Sequence, residues 1–200
     1  MPSFVERDIL DRHVPVGLKD LEAPLLLFLE RLLIGEELLL GFFLDRGIVS
    51  DDGILSDVDA TIAHLQGHGF EPSKIGIVGF CFGGRVTFLV AARRALGAAV
   101  GFYGGGIAAA GGLPFPPLID ESPTLQTPWL GLFGDLDKGI SVESVEALRT
   151  ALGDAPVDAE IVRYPDADHG FHCDARASYH AESAADGWQR TLEWFARQLG

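Results

Sequence analysis

The run from Lys74 to Gly84 constrains the fold of this chain more than any other segment. Its first half is apolar and predicts a strand that ends near Phe80, while a helix is predicted to begin near Arg85. Between them a Gly-x-Cys-x-Gly sequence surrounds Cys81, which is the pattern of a sharp strand-to-helix turn carrying a nucleophile. The segment therefore predicts an α/β architecture with Cys81 at the carboxyl end of a strand.

The glycines on either side of the cysteine fit this turn. A strained nucleophile turn would collide with side chains two positions away, and Gly79 and Gly83 have no Cβ. The turn also places the sulfur at a helix N-terminus, where the helix dipole and the Phe82 N–H favour a thiolate and an oxyanion. The alternative is that Cys81 is simply a small buried residue, as free cysteines often are.

Composition limits the classes of protein to consider. Two hundred residues suit a single domain spanning 1–200, and 48% hydrophobic with 22% charged residues is typical of a soluble globular protein. A formal net charge of -14 repels phosphate backbones and anionic lipids, so we expect no nucleic-acid and no membrane partner.

The chain start and the cysteine count indicate a reduced compartment. We expect no secretory signal, because residues 1–6 lack a basic region followed by an apolar core. The apolar stretch 23–44 is interrupted by charged residues, so we interpret it as buried helix or strand. Two cysteines are too few for a disulfide framework, and no C-x-x-C or histidine cluster has metal spacing. A cytoplasmic protein is the expectation.

Strands and helices are predicted to alternate from residue 51 onward. Apolar runs predict strands at 74–80, 98–103, 128–134 and 159–164, with helices after Asp51 and Asp52, from 84 to 96, and after Ser141. A last helix is predicted to bury Ala181, Ala185, Trp188, Leu192, Phe195 and Leu199. Strands that are apolar on both faces indicate a mostly parallel sheet with helices on both faces. The long Gly/Pro-rich connection 104–127 is either a cover over a site or a surface loop.

Two further residues complete a catalytic constellation with the thiol. A thiol needs a base, and the base needs an orienting acceptor. His169 lies on a loop after the fourth strand, and Asp135 directly follows the third. Groups beyond the carboxyl ends of parallel strands share one edge, and the order nucleophile, acid, histidine is that of the α/β-hydrolase scaffold. Asp137 competes with Asp135, and His172 with His169; we favour the residue next to the strand and the histidine before Gly170.

Several runs resemble the dienelactone hydrolase family, the carboxymethylenebutenolidase-like α/β-hydrolases. They are residues 76–84, 102–105, 132–137, 168–174 and 188–195, within a resemblance covering about residues 45–199. The resemblance implies an α/β-hydrolase fold and a Cys-His-Asp triad of Cys81, His169 and Asp135 without metal or organic cofactor. It also implies hydrolysis of small lactones or esters through an acyl-enzyme, the family substrate being a dienelactone.

The front of the chain departs from that family. Residues 11–44 are shorter than the early strands and the loop that carry a glutamate and an oxyanion donor in the family, so the N-terminal part is shortened or altered. Glu36 is a candidate for the carboxylate. One oxyanion donor is expected from the Phe82 N–H, while the second has no clear candidate.

Substrate contacts are predicted next to the triad segments. An anionic lactone favours a guanidinium, which Arg85 or Arg176 could supply, although each could equally be a solvated surface arginine. Tyr103 and Phe171, with Phe82, could form an apolar wall. The expected partner is a small ester or lactone, and the chain is expected to be a monomer or homodimer.

Two other functions are open at this point. A non-catalytic binding or sensor protein on the same scaffold is favoured by the unusual N-terminal third. A redox protein using Cys81 and Cys173 would form a reversible disulfide between them.

Overall fold

The computed structural model describes residues 26–29, 49–110 and 114–200. The strands are β1 (Leu26–Leu29), β2 (Gly76–Phe80), β3 (Ala98–Phe102), β4 (Trp129–Gly134) and β5 (Ala159–Tyr164). The α-helices are α1 (Asp51–Gly67), α2 (Phe82–Arg93), α3 (Val142–Ala151) and α4 (Ala181–Leu199), with short 3₁₀ helices at Pro72–Lys74, Ile119–Thr124 and Leu152–Asp154.

The five strands form one parallel sheet in the order of the chain, β1-β2-β3-β4-β5. The predicted parallel sheet is therefore confirmed. Because all strands run the same way, their carboxyl ends lie on one edge, and the residues that follow β2, β4 and β5 meet there. Within the stretch 23–44, residues 26–29 are a strand; the rest of that stretch, including Glu36, and residues 1–22 lie outside the described residues.

Helices cover both faces of the sheet, as two neighbouring residues of β3 demonstrate. A Cβ on Gly101 would lie 2.7 Å from Oγ1 of Thr87 in α2. The next side chain, Phe102, points the other way and lies against Gly187 of α4. The core consequently has two layers, with α2 on one side of the central strands and α4 on the other.

Side-chain caps set the helix starts. Helix α1 begins after Ser50, whose Oγ accepts a hydrogen bond from the Gly53 N–H at 3.1 Å, while Asp51 and Asp52, expected as caps, occupy the first turn. There the two carboxylates face the positive end of the helix dipole. The predicted cap of α3 is confirmed, since Ser141 Oγ accepts from the Ser144 N–H at 3.2 Å.

The buried face of α4 differs from the expected one. Ala181 and Ala185 are exposed, whereas Ala184, Gly187 and Thr191 are buried together with the aromatic residues of the last turns. Small residues at this face let the helix approach the sheet closely, so the face is set by size as well as by hydrophobicity.

The connection between β3 and β4 is anchored along α2. Arg93 donates two hydrogen bonds to the Glu121 carboxylate, at 2.9 and 2.7 Å. Near the start of the same helix, Arg85 donates to the Pro116 carbonyl at 3.0 Å. The connection 104–127 contacts the nucleophile turn, since the Phe115 ring lies 5.4 Å from the Phe82 ring. This contact favours a cover over the site rather than a plain surface loop. Among the residues described, no helix is long and apolar enough to cross a membrane.

Candidate active site

The predicted nucleophile turn is present between β2 and α2. Cys81 has φ 55° and ψ -118°, a left-handed backbone that non-glycine residues rarely adopt. A Cβ on Gly79 would lie 2.2 Å from the Gly83 carbonyl oxygen, so a side chain there is impossible without moving the turn. The Cys81 N–H donates to the Phe102 carbonyl at 3.0 Å, which ties the turn to the end of β3.

A chain of hydrogen bonds runs from the sulfur into the protein. His169 Nε2 lies 3.1 Å from Cys81 Sγ, and His169 Nδ1 lies 2.7 Å from Asp137 Oδ2. The Asp137 side chain is 3% exposed, against 31% for His169. A buried carboxylate on Nδ1 holds the proton on that nitrogen and leaves Nε2 to exchange a proton with the sulfur.

Asp137, rather than the predicted Asp135, is the carboxylate at His169. The Asp135 N–H still donates to the Tyr164 carbonyl at 2.9 Å, so Asp135 continues the ladder between β4 and β5. Its carboxylate receives two hydrogen bonds from Arg163 of β5, at 2.7 and 2.6 Å. Two residues later the chain has left the sheet and turned, and only there does a carboxylate reach the histidine loop. Arg163, at the end of the neighbouring strand, is the sequence signal that Asp135 has another partner.

The loop after β5 is shaped to present His169. A Cβ on Gly134 would lie 2.3 Å from the Ala167 carbonyl, which brings the turn after β4 against this loop. The Asp168 side chain accepts a hydrogen bond from the His169 N–H at 2.6 Å, and Gly170 follows with φ +76°.

His172, the rival histidine, lies in an aromatic cluster away from the sulfur. Its ring is 5.2 Å from Phe80, 5.0 Å from Phe102 and 5.7 Å from Trp188. Burial lowers the pKa of His172, against the opposing charge of Asp174. The neutral form of the ring is therefore favoured, and the half-buried ring packs among these aromatic side chains.

The surroundings of Cys81 lower its pKa. Burial is the largest single influence and acts in the opposite direction, because it disfavours the thiolate. It is outweighed by the hydrogen bond and the charge of His169, the N–H of Phe82 and the charge of Arg176 taken together. These groups are donors or cations, so all of them stabilise the thiolate.

The same pairing raises the pKa of His169 to about 10, through the hydrogen bond to Asp137 first and that to Cys81 second, against burial. Below that value and above the lowered pKa of Cys81, the pair exists as thiolate and imidazolium. The two groups titrate as one coupled system.

This ion pair predicts a distinctive pH profile for alkylation of Cys81. The folded protein should react with iodoacetamide below the pH at which an ordinary thiol ionises, and the rate should fall as pH drops through the lowered pKa of Cys81. Urea-unfolded protein, in which His169 no longer neighbours the sulfur, serves as the control and should react only near the ordinary thiol pKa of about 8.5. Identical profiles for folded and unfolded protein would contradict the ion pair.

Two of the predicted substrate contacts are corrected by burial. Arg85 is completely buried and is bound to Asp51 at 2.7 and 3.1 Å, so its guanidinium already has an anion inside the protein. Phe171 is also fully buried, between Tyr103 and Tyr164. Neither side chain can touch a substrate without rearrangement.

Of the other predicted contacts, Arg176 and Phe82 act on the sulfur, and Tyr103 lies against His169. Arg176 is half-buried, its stem crosses Gly170, and its charge acts on Cys81. Phe82 is half-buried, and its N–H points to the sulfur. Tyr103 is 4% exposed, with its ring 5.1 Å from that of His169.

Strand β1 lies beside the strand that leads to Cys81. Strand β1 pairs with β2, and the residues that follow it, 30–48, lie outside the described part of the chain. The expected second oxyanion donor falls in that range.

Cys173 and Cys81 are both free thiols. Where side chains are described, no group of three or more His, Cys, Asp or Glu residues is arranged to hold a metal ion.

Comparison with known proteins identifies relatives of this chain. The chain is 46% identical over 143 residues to a proposed carboxymethylenebutenolidase of Yersinia pestis, covering 70% of this chain and 53% of that protein. It is 32% identical over 146 residues to the carboxymethylenebutenolidase of Rhodococcus opacus, covering 72% of this chain and 56% of that protein. The chain thus spans about half the length of these relatives.

A solved structure of similar fold supports the same family. The crystal structure of a proposed dienelactone hydrolase from Klebsiella pneumoniae superposes with a TM-score of 0.66 at 44% identity, covering 74% of this chain and 62% of that one. The predicted α/β-hydrolase fold is confirmed by this likeness. The model of the dienelactone hydrolase family matches residues 45–199, from the start of α1 to the end of α4, and the chain therefore belongs to that family.

Proposed function

We propose that this protein is a thiol-dependent hydrolase of small esters or lactones that works through an acyl-enzyme. The observation that carries the proposal is the continuous contact from Cys81 Sγ through His169 to the buried Asp137, built on a strained nucleophile turn. A cysteine that only filled space in the core would need neither the strained backbone nor the histidine.

In the first step the Cys81 thiolate attacks the carbonyl carbon of the substrate. The carbonyl oxygen becomes an oxyanion, and the N–H of Phe82, already directed at the sulfur, can donate to it as the charge moves from sulfur to oxygen. The half-buried position of the site raises the strength of this interaction, because less water competes for it.

In the second step the tetrahedral intermediate collapses. The bond to the leaving oxygen breaks, His169 gives its Nε2 proton to that oxygen, and Cys81 remains as a thioester. In a lactone the leaving alcohol stays attached to the acyl chain. Water then attacks the thioester with His169 as base, the acid is released, and the proton returns the pair to thiolate and imidazolium. Asp137 stabilises the imidazolium whenever His169 is charged.

The charges near the sulfur favour a substrate with an anionic group. Arg176 is half-buried and close enough for its charge to act on Cys81. A carboxylate on the acyl group could therefore pair with Arg176 while the carbonyl carbon lies at the sulfur. The reaction named for the Rhodococcus opacus relative, a carboxymethylenebutenolidase, is compatible with this arrangement.

Trapping the acyl-enzyme tests the proposal directly. Mixing the protein with p-nitrophenyl acetate at acidic pH, where thioester hydrolysis is slow, should release p-nitrophenol in a burst, with one acetyl group added to the peptide containing Cys81. Prior alkylation of Cys81 is the control and should remove both signals. Neither burst nor adduct, with steady turnover also absent, would favour a non-catalytic binding protein on this scaffold.

A further inference from the structure

Tyr103 is the second strained residue at this edge of the sheet. Among the described non-glycine residues only Cys81 and Tyr103 have positive φ, 55° and 37°, and they follow the neighbouring strands β2 and β3. Backbone strain of this kind persists only where the surrounding structure enforces it, and it concentrates at functional sites. Because the strained Tyr103 lies directly beside the nucleophile turn, we expect it to act in the site.

The strain arises from how tightly the chain passes the nucleophile helix. After Tyr103 the chain meets α2 so closely that a Cβ on Gly104 would lie 2.7 Å from the Gly84 carbonyl carbon and 2.8 Å from the Arg85 nitrogen. The turn must therefore begin at Tyr103 itself. A glycine would adopt φ 37° more easily, so the tyrosine side chain is present in spite of the backbone it must adopt.

Tyr103 is linked to each of the three segments that carry the proposed triad. The preceding carbonyl, that of Phe102, accepts the Cys81 N–H at 3.0 Å. Its own N–H donates to the Leu132 carbonyl at 2.7 Å, in the strand that leads to Asp137. Its ring lies 5.1 Å from the His169 ring at an interplanar angle of 60°.

We propose that Tyr103 is a positioning residue, whose buried ring fixes the plane of the His169 imidazole so that Nε2 remains aimed at the Cys81 sulfur. Two hydrogen bonds hold the imidazole only at its nitrogens, so small changes of χ1 and χ2 can still tilt the ring about the line between them. A ring packed against its side limits this tilt. The inference rests on the proposed function for its catalytic meaning, but the geometry can be tested without turnover.

Tyr164 provides a matched control. Both tyrosines are buried at strand ends, 4% and 8% exposed, and both pack on Phe171, with centroid distances of 5.2 and 5.1 Å. The Tyr103 ring contacts His169, whereas the Tyr164 hydroxyl donates to Asp186 at 2.9 Å. Replacement of either tyrosine by leucine removes a ring packed on Phe171, but only Tyr103→Leu removes the contact with the imidazole.

The experiment compares the pH dependence of Cys81 alkylation by iodoacetamide in Tyr103→Leu and Tyr164→Leu, with thermal melting to establish that each variant is folded. Tyr103→Leu should shift the profile toward that of an ordinary thiol and slow alkylation severalfold on the acidic side, because the Cys81 pKa rises when the His169 Nε2 no longer faces the sulfur. Tyr164→Leu should retain the wild-type profile. The cations that act on the sulfur, His169 and Arg176, are unchanged in both variants.

Two additional variants keep the proposal falsifiable. Tyr103→Gly adopts the positive φ without strain, so it removes the ring even if Tyr103→Leu does not fold, and the same shift is expected. Tyr103→Phe keeps the ring and should keep the profile. A wild-type profile in the variants that lack the ring, an equal shift in Tyr164→Leu, or a full shift in Tyr103→Phe would each overturn the proposal. Absence of hydrolysis in the wild type would contradict the proposed function and leave this measurement valid.

Discussion

Cys81→Ala is expected to abolish ester and lactone hydrolysis, with kcat/KM lower by on the order of 10³-fold or more. The thiolate is the only nucleophile in the proposed chemistry, and neither His169 nor the Phe82 N–H can form the acyl-enzyme without it. The fold should tolerate the change, since Cys81 is only partly buried and alanine is smaller. Initial rates on p-nitrophenyl acetate and on a small lactone, with a melting curve for each protein, measure the effect.

Cys173→Ala is the matched control for this substitution. Cys173 is also a half-buried free thiol, it lies four residues beyond His169 in the chain, and it has no part in the proposed steps. Its removal should leave hydrolysis intact. Comparable activity in wild type and Cys81→Ala would end the hydrolase proposal, whereas loss of activity in Cys173→Ala would point to a disulfide or redox role for the second thiol.

Asp137→Asn should lower kcat by on the order of 10³ to 10⁴-fold while the fold remains intact. An asparagine amide can donate to Nδ1 of His169, which moves the imidazole proton to Nε2 and prevents that nitrogen from accepting a proton. The carboxylate charge that stabilises the imidazolium is lost as well, so the raised pKa of His169 should fall and the alkaline limb of the pH profile should move to lower pH.

Asp135→Asn separates the two acidic residues of this turn. Asp135 pairs with Arg163 and makes no hydrogen bond to His169, so its substitution should weaken the fold slightly and leave kcat nearly unchanged. Steady-state kinetics on both variants, prepared side by side, decide between them. A large loss in Asp135→Asn together with normal turnover in Asp137→Asn would reverse the assignment made from the geometry.

Local patterns predicted a large part of the fold. The apolar runs at 74–80, 98–103 and 128–134 became adjacent parallel strands, because a strand buried on both faces needs apolar residues at nearly every position. The segment 159–164 became the next parallel strand, although Glu160 is exposed and Arg163 is only partly buried. The nucleophile turn was predictable because it depends on local contacts: a Cβ on Gly79 would meet the carbonyl oxygen of Gly83, four residues later in the chain. The buried face of α4 was predicted less well, because small residues such as Gly187 are buried by the close approach of the helix to the sheet rather than by their hydrophobicity.

For the candidate site, the sequence by itself indicated that Cys81 and His169 lie together at one edge of the sheet, because their placement depends on short-range patterns and on the direction of parallel strands. Only the tertiary structure decided which acid faces His169. Asp135 and Asp137 are two residues apart and equally acidic, and Arg163, distant in the chain but adjacent in the sheet, pairs with the first and leaves the second for the imidazole. Arg85 and Phe171 were likewise assigned to the core by partners that no local pattern specifies, since packing between distant segments determines which side chains remain open to a ligand.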